Sequence, residues 1–246
     1  WSETKLHKFF NYCHDKYWLE VDTEMQVRHA KLIEASENTD KGFMIDLKFD
    51  FQKHVIELSV FAPDHPGLFT SICGAIALAR GSILDAKVQT LRSGMALDTF
   101  SIQDIHNPST AENIDLKRLK ARIADSIQGK INLARELMKA TQDLSFRDAI
   151  TFKVPPGVLI DNNASREYTV IEINGRDRPG FLYDITSALT KNGIRISSSH
   201  ISTYGERVVD VFYVKDIFGL KILNEIKLEK IRELLLRAIL PNQDGF

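Results

Sequence analysis

One segment of this chain occurs twice, and that repeat constrains the fold more than any other feature. Residues Val60 to Phe69 read Val-Phe-Ala-Pro-Asp-His-Pro-Gly-Leu-Phe, and residues Ile173 to Leu182 read Ile-Asn-Gly-Arg-Asp-Arg-Pro-Gly-Phe-Leu. The shared core is Asp-x-Pro-Gly followed by two large apolar residues: Asp64, Pro66 and Gly67 in the first copy, Asp177, Pro179 and Gly180 in the second. The spacing holds as far as Thr90 and Thr203. It slips by one residue across Leu91 to Gly94 against Tyr204-Gly205, then resumes as Asp98-Thr-Phe100 against Asp210-Val-Phe212. A hairpin loop absorbs such a slip.

Both copies predict the same elements. Strands are expected at Val55 to Phe61 and Tyr168 to Ile173, where β-branched and aromatic residues concentrate. Leu68, Phe69, Ile72, Cys73 and Ile76 then fall at helical spacing, as do Phe181, Leu182, Ile185 and Leu189. Two further strands (about 83–90 and 95–103; 194–203 and 207–214) flank a Gly-containing hairpin, and second helices follow at about 114–128 and 223–240. This order is one strand short of a four-stranded split βαβ unit. Gly42-Phe-Met-Ile-Asp46 and Gly157-Val-Leu-Ile-Asp161 share one pattern just upstream of each copy. A hairpin would set each beside the first strand, so a permuted unit is expected whose usual last strand comes first.

Composition narrows the function. The chain has 246 residues, enough for two domains of roughly 100 residues and an extra segment. Its net charge of -1 supplies no general electrostatic reason to seek nucleic acid or an anionic membrane. The longest weakly polar stretch, Leu68 to Ala79, is far short of the ~20 residues that cross a bilayer. Two cysteines, Cys13 and Cys73, forming no CxxC pair, are too few for a zinc site or a disulfide framework, which suits a reducing, cytoplasmic setting. The non-Met start, Trp1, suggests a fragment of a longer protein.

The Asp-x-Pro-Gly motif has two readings. Asp64 and Asp177 are placed to cap a helix, with Pro66 and Pro179 in its first turn, and then no ligand is needed. Alternatively, free N–H groups at the helix end receive a carboxylate or similar group. The doubled signature favours the second.

On these residues the chain resembles the ACT-domain family of small ligand-sensing modules. The tandem arrangement is also similar to the C-terminal region of the bacterial PII uridylyltransferase/uridylyl-removing enzymes. Ala96 to Phe100, Val158 to Asn162, Ser198 to Val214 and Phe218-Gly-Leu-Lys221 carry that likeness, as do Tyr17-Trp-Leu19 and Arg28-His-Ala30. The resemblance implies an α+β fold of two tandem ferredoxin-like ACT domains, each a four-stranded antiparallel sheet with two helices. It implies domains at 42–129 and 157–246, a helical linker at 130–156, and a helical segment at 1–41 leading from absent catalytic parts. It implies a parent enzyme that adds UMP to the PII signal protein and removes it, with magnesium for catalysis and none needed in this fragment. Glutamine is the implied effector, bound where ACT domains pair within a chain or across a dimer, with no nucleic acid or membrane partner. The implied ligand residues are Asp64, His65, Gly67 and Leu68; Asp177, Arg178, Gly180 and Phe181; and Ser198, Ser199 and His200.

Bland readings stand beside these. Arg178 is either a bidentate carboxylate clamp or a solvated charge. Ser197 to His200 either bond an amide or mark a bulge or sheet edge, and their first-copy counterparts, Leu84 to Lys87, are chemically different. Asp98 and Asp210 read as outward-facing or paired in-strand acids rather than catalytic ones. Arg135, Lys139 and Arg147 read as a solvated face. His14-Asp15 lacks the partners a metal site needs. Residues 1–41 should be helical at Lys5 to Tyr12 and Glu24 to Ala35, capped at Asp22-Thr23, and poorly ordered where nothing packs on them. No nucleophile–base pair or phosphate loop suggests catalysis within the chain. A stand-alone tandem-ACT regulator and an RNA-binding ferredoxin-like module are the alternatives, the latter requiring exposed aromatics such as Phe100, Phe212 or Tyr213 beside a basic face.

Overall fold

The computed structural model describes residues 3–39, 42–104, 113–142, 155–204 and 207–240. Three helices come first: α1 (Glu3–Tyr12), α2 (Asp15–Glu20) and α3 (Thr23–Ser36). The first unit follows as β1 (Met44–Asp50), β2 (Val55–Pro63), α4 (Leu68–Leu78), β3 (Gly81–Lys87), β4 (Met95–Asp104) and α5 (Leu116–Ile127). Helix α6 (Leu133–Gln142) leads to the second unit: β5 (Gly157–Asp161), β6 (Thr169–Arg176), α7 (Phe181–Lys191), β7 (Ile194–Tyr204), β8 (Arg207–Asp216) and α8 (Glu225–Ile239).

The architecture is the α+β one expected. The strand that each repeat lacked comes first: β1 runs antiparallel to β2, and β5 antiparallel to β6. Strand β5 coincides with Gly157 to Asp161, whereas β1 starts at Met44 because Gly42 adopts φ 70°, outside extended backbone. Each unit has the permuted order, and the two join edge to edge into one eight-stranded antiparallel sheet, β1-β2-β4-β3-β7-β8-β6-β5. The ACT-like units therefore pair side by side within one chain. The second hairpin tip, 205–206, and Arg147 lie outside the described residues.

Period-two burial decides which face holds the core. Ile56, Leu58, Phe100 and Ile102 meet Ile72, Ile76, Leu119 and Ile123 from α4 and α5. Ile171, Ile173, Phe212 and Val214 meet Ile185, Leu189 and Leu235 from α7 and α8. Each such side chain contributes about 1.5–3 kcal/mol on burial.

The N-terminal segment is helical, as expected, and is a layer packed on the other face of the first unit. Phe9, Cys13, Tyr17, Val21, Leu32 and Ile33 bury against Phe61, Leu91 and Leu97. Asp22 caps α3 through the Met25 N–H at 2.9 Å, as its position predicted. Buried His29 joins this layer to the sheet: Nδ1 hydrogen-bonds the Tyr17 hydroxyl at 2.9 Å, and Nε2 hydrogen-bonds Ser59 and Thr99 at 3.1 and 3.2 Å. Arg28 adds a part-buried link to Asp46 and Glu57. Arg135 and Lys139 are exposed on α6, as a solvated face requires, while Leu133 and Leu137 are buried.

Candidate functional site

The Asp-x-Pro-Gly segments form turns, not caps. The Leu68 N–H donates to the His65 carbonyl at 3.1 Å, and the Phe181 N–H to that of Arg178 at 3.0 Å. Gly67 has φ 93°, ψ -3° and Gly180 φ 80°, ψ 1°. With Pro at the preceding position these are type II turns, whose third residue needs a positive φ and hence Gly. The glycines themselves are the N-cap residues, which corrects the expected capping by Asp64 and Asp177 and moves Pro66 and Pro179 ahead of the helix. Asp64 instead accepts a hydrogen bond from the Thr90 hydroxyl at 2.7 Å. Asp177 is part-buried; desolvation pushes its carboxyl up, partly offset by the Arg178 backbone N–H and charge.

This geometry leaves helix N–H groups uncovered. Asp22, Asp115 and Asn224 place a side-chain oxygen on the first turns of α3, α5 and α8. No side chain does so on α4 or α7. The first-turn donors and the positive end of the helix dipole together favour an anion.

The two loops face different spaces. A cavity of about 680 Å³ opens beside the first loop. Asp64 to Phe69, Val88 to Leu91 and Asp98 line it from the first unit, and Thr190 and Ile194 to Ser198 from the second. Tyr17 and Glu20 of α2 reach it too, as do Tyr168 and Lys215. The space beside the second loop is about 40 Å³. Its residues include Cys73, Gly81 to Ile83, Asp177 to Tyr183 and Asp210, the mirror of the first set.

Packing by α6 and α7 explains the inequality. A Cβ placed on Gly180 would stand 3.6 Å from Leu137, so α6 sits against the second loop. A Cβ on Gly74 would stand 2.8 Å from the Tyr183 ring, so the absence of a side chain in α4 admits Tyr183. At the first loop, the nearest atom to a Cβ on Gly67 is Thr190 Cγ2, at 3.8 Å.

The structure divides the residues named from sequence. Asp64, His65, Gly67, Leu68 and Ser198 line the large cavity. Asp177, Arg178, Gly180 and Phe181 line the small one. Arg178 is neither a free clamp nor a solvated charge: it donates to the Ala238 carbonyl at 2.9 Å, pairs with Asp184 at 2.6 Å and lies over the Phe181 ring. Its Nε is buried without a hydrogen-bond partner. Ser199 is buried at the junction of the units, and its hydroxyl reaches the Ala86 carbonyl at 3.4 Å. His200 is exposed beside Asp85 and lines neither cavity. The pairing of β7 with β8 shifts register between Ile196 and Ser198, so this polar run does mark a bulge.

Asp98 and Asp210 depart most from expectation. Both face the helices, both are buried, and one carboxyl oxygen of each lacks a hydrogen-bond partner. The other interactions are single backbone N–H groups, from Gln89 and Ser202 respectively. Desolvation, reinforced by the nearby Asp64 or Asp177, pushes each carboxyl up to about 8. Sequence alone underrated them, although their recurrence two residues before a core Phe was visible. Phe100 and Phe212 themselves are core residues and present no stacking surface. Among the described residues no group of three His, Cys, Asp or Glu side chains could hold a metal ion, and no helix is long and apolar enough to cross a membrane.

Comparison with known proteins fits this architecture. The ACT domain family profile matches residues 169–233. The bifunctional uridylyltransferase/uridylyl-removing enzyme of Gluconobacter oxydans is 42% identical over 237 residues, 96% of this chain and 25% of that protein. Its namesake in Azospirillum brasilense is 45% identical over 224 residues, 91% of this chain and 24% of that protein. That of Rhodospirillum rubrum is 42% identical over 239 residues, 97% of this chain and 25% of that protein. The chain thus carries an ACT domain and, along nearly all of its length, is a relative of the bifunctional uridylyltransferase/uridylyl-removing enzymes, of which it spans about one quarter.

Proposed function

We propose that this chain is the amino-acid-sensing region of a cytoplasmic enzyme that uridylylates and deuridylylates the PII signal protein, and that its effector is glutamine. The division into units at 42–129 and 157–246, with a linker at 130–156, belongs to the same proposal. The observation that carries it is the 680 Å³ cavity at the first Asp-x-Pro-Gly loop, bounded by an uncapped helix N-terminus and by β7 of the other unit. The ligand carboxylate would sit on the N–H groups at the start of α4. Asp64, His65 and Ser198 would bound it. The second loop would be a structural echo, filled by Tyr183, Leu137 and the tethered Arg178. The magnesium of a uridylyl-transferring parent finds no ligand cluster among the described residues, and no role proposed for this chain uses it.

Because both units line one cavity, occupancy would favour one mutual arrangement of them. A ligand shifts an equilibrium only by its differential affinity for two states, so the parent would respond through that arrangement. Isothermal titration of the chain with glutamine tests the proposal. Saturable binding of one glutamine per chain is expected, weakened more by Gly67→Ala than by Gly180→Ala. A flat titration at millimolar glutamine contradicts it.

A further inference from the structure

Asp98 is a buried acid at the edge of the large cavity with one carboxyl oxygen unpartnered. Buried polar atoms are nearly always satisfied, so a lone one beside an open space points to a missing partner. Its twin, Asp210, has the same in-strand position, the same single backbone donor and the same unpartnered oxygen. Beside Asp210 the free space is only about 40 Å³, roughly enough for one water molecule. The two carboxyls thus differ chiefly in the room next to them.

The opposite polarities around the cavity restrict what fits. The uncapped start of α4 attracts an anion. Asp64, on the lining, attracts a cation, and Asp98 beside it can pair with one once its carboxyl gives up a proton. A molecule carrying a carboxylate and an ammonium on one carbon satisfies both ends at once.

We propose that Asp98 recognises the α-ammonium group of a bound amino acid and releases its own proton to solvent as that group arrives. The inference rests on the reading of the cavity as an amino-acid site. The O–H bond of the Asp98 carboxyl breaks, the proton goes to the buffer, and the carboxylate pairs with an ammonium that keeps all its hydrogens. Burial favours the protonated acid before binding, and an adjacent positive charge favours the ionised one afterwards. The titratable groups nearest Asp98 are Asp64 on the loop, which opposes its ionisation, and Cys73 on α4, a buried thiol pushed well up. The lining also carries His65 from the loop, His14, Tyr17 and Glu20 from the α1–α2 region, Glu167 and Tyr168 before β6, Arg195 from β7 and Lys215 from β8.

Titration calorimetry with glutamine at pH 7, in phosphate and in Tris, reads the proton directly, because the two buffers differ in ionisation heat. The wild-type chain should release close to one proton per glutamine, and its affinity should rise up to tenfold from pH 6 to pH 7. Asp98→Asn should bind at least tenfold more weakly and release none. Asp210→Asn should keep the wild-type affinity and proton count, which separates ligand recognition from a shared structural effect. Saturable wild-type binding without proton release overturns the inference and leaves the amino-acid reading standing, even if Asp98→Asn does not fold. Equal losses in both variants, or an unaltered Asp98→Asn, also overturn it. A flat wild-type titration removes both.

Discussion

Ala86 of β3 stands opposite Ser199 of β7, and the Ser199 hydroxyl reaches across to the Ala86 carbonyl at 3.4 Å. Both residues are buried, and this pairing brings the edge of one repeat against the edge of the other. The large cavity depends on it, because Ile194 to Ser198 reach the first loop only from the adjoining β7. Ala86→Phe should therefore cost about 1–3 kcal/mol by overpacking. It should abolish glutamine binding while far-ultraviolet circular dichroism keeps the signal of two folded units. Unchanged binding in a folded Ala86→Phe protein would separate the site from the junction.

Acid should detach the N-terminal layer. Burial, together with the neighbouring Arg28 charge, depresses His29 from 6.5 to about 4. A depressed histidine contributes stability that is present above its unfolded value and is lost as pH falls towards its folded one. Between pH 6.5 and about 4 the stability that neutral His29 contributes should fall by up to roughly 3 kcal/mol. Urea denaturation across that window, in wild type and His29→Gln, checks this: the difference between them should shrink as pH falls.

Asp98 and Asp210 act in the opposite direction. Each has a folded value raised from 3.8 to about 8, so the folded state holds more protons than the unfolded chain between those pH values. Their stability contribution is complete below pH 3.8 and drains away as pH rises to about 8. Asp210→Asn should remove one proton's worth of that slope and leave the protein relatively more stable at pH 8 than at pH 5. Parallel stability–pH curves for the variant and wild type would show that Asp210 is not held protonated.

The filling of the second site makes a packing prediction. A Cβ at position 74 would meet the Tyr183 ring at 2.8 Å and Leu133 at 3.0 Å. Gly74→Ala should cost about 1–3 kcal/mol. Tyr183→Ala should cost more through the void it leaves, yet the double variant should be less destabilised than the sum of the two. Strict additivity in a denaturation cycle would mean that the two residues do not compete for the same space.

Much of this is legible in the sequence. The repeated Gly-Φ-Φ-Ile-Asp segments (Φ, apolar) marked β5 and the neighbourhood of β1, because period-two burial leaves its trace in sequence. The cap of α3 at Asp22 is legible, but those of α4 and α7 are not. Asp64 and Asp177 look like N-cap residues, but the positive φ available to Gly67 and Gly180 moves the cap three residues on. Helix α2 is not legible, because six residues carry too little periodicity. The burial of Phe9 and Tyr17 is tertiary, invisible until the sheet face they cover exists. The inequality of the cavities is likewise tertiary: nothing local to Gly180 announces that Leu137, more than 40 residues earlier, will lie against it.

The most direct measurement is a crystal structure of the chain grown with glutamine. One glutamine is expected in the large cavity, its carboxylate on the N–H groups that begin α4 and its ammonium towards Asp98. Glutamine seated at the Arg178 loop, or an empty large cavity at saturating ligand, would contradict the assignment of the site to the first repeat.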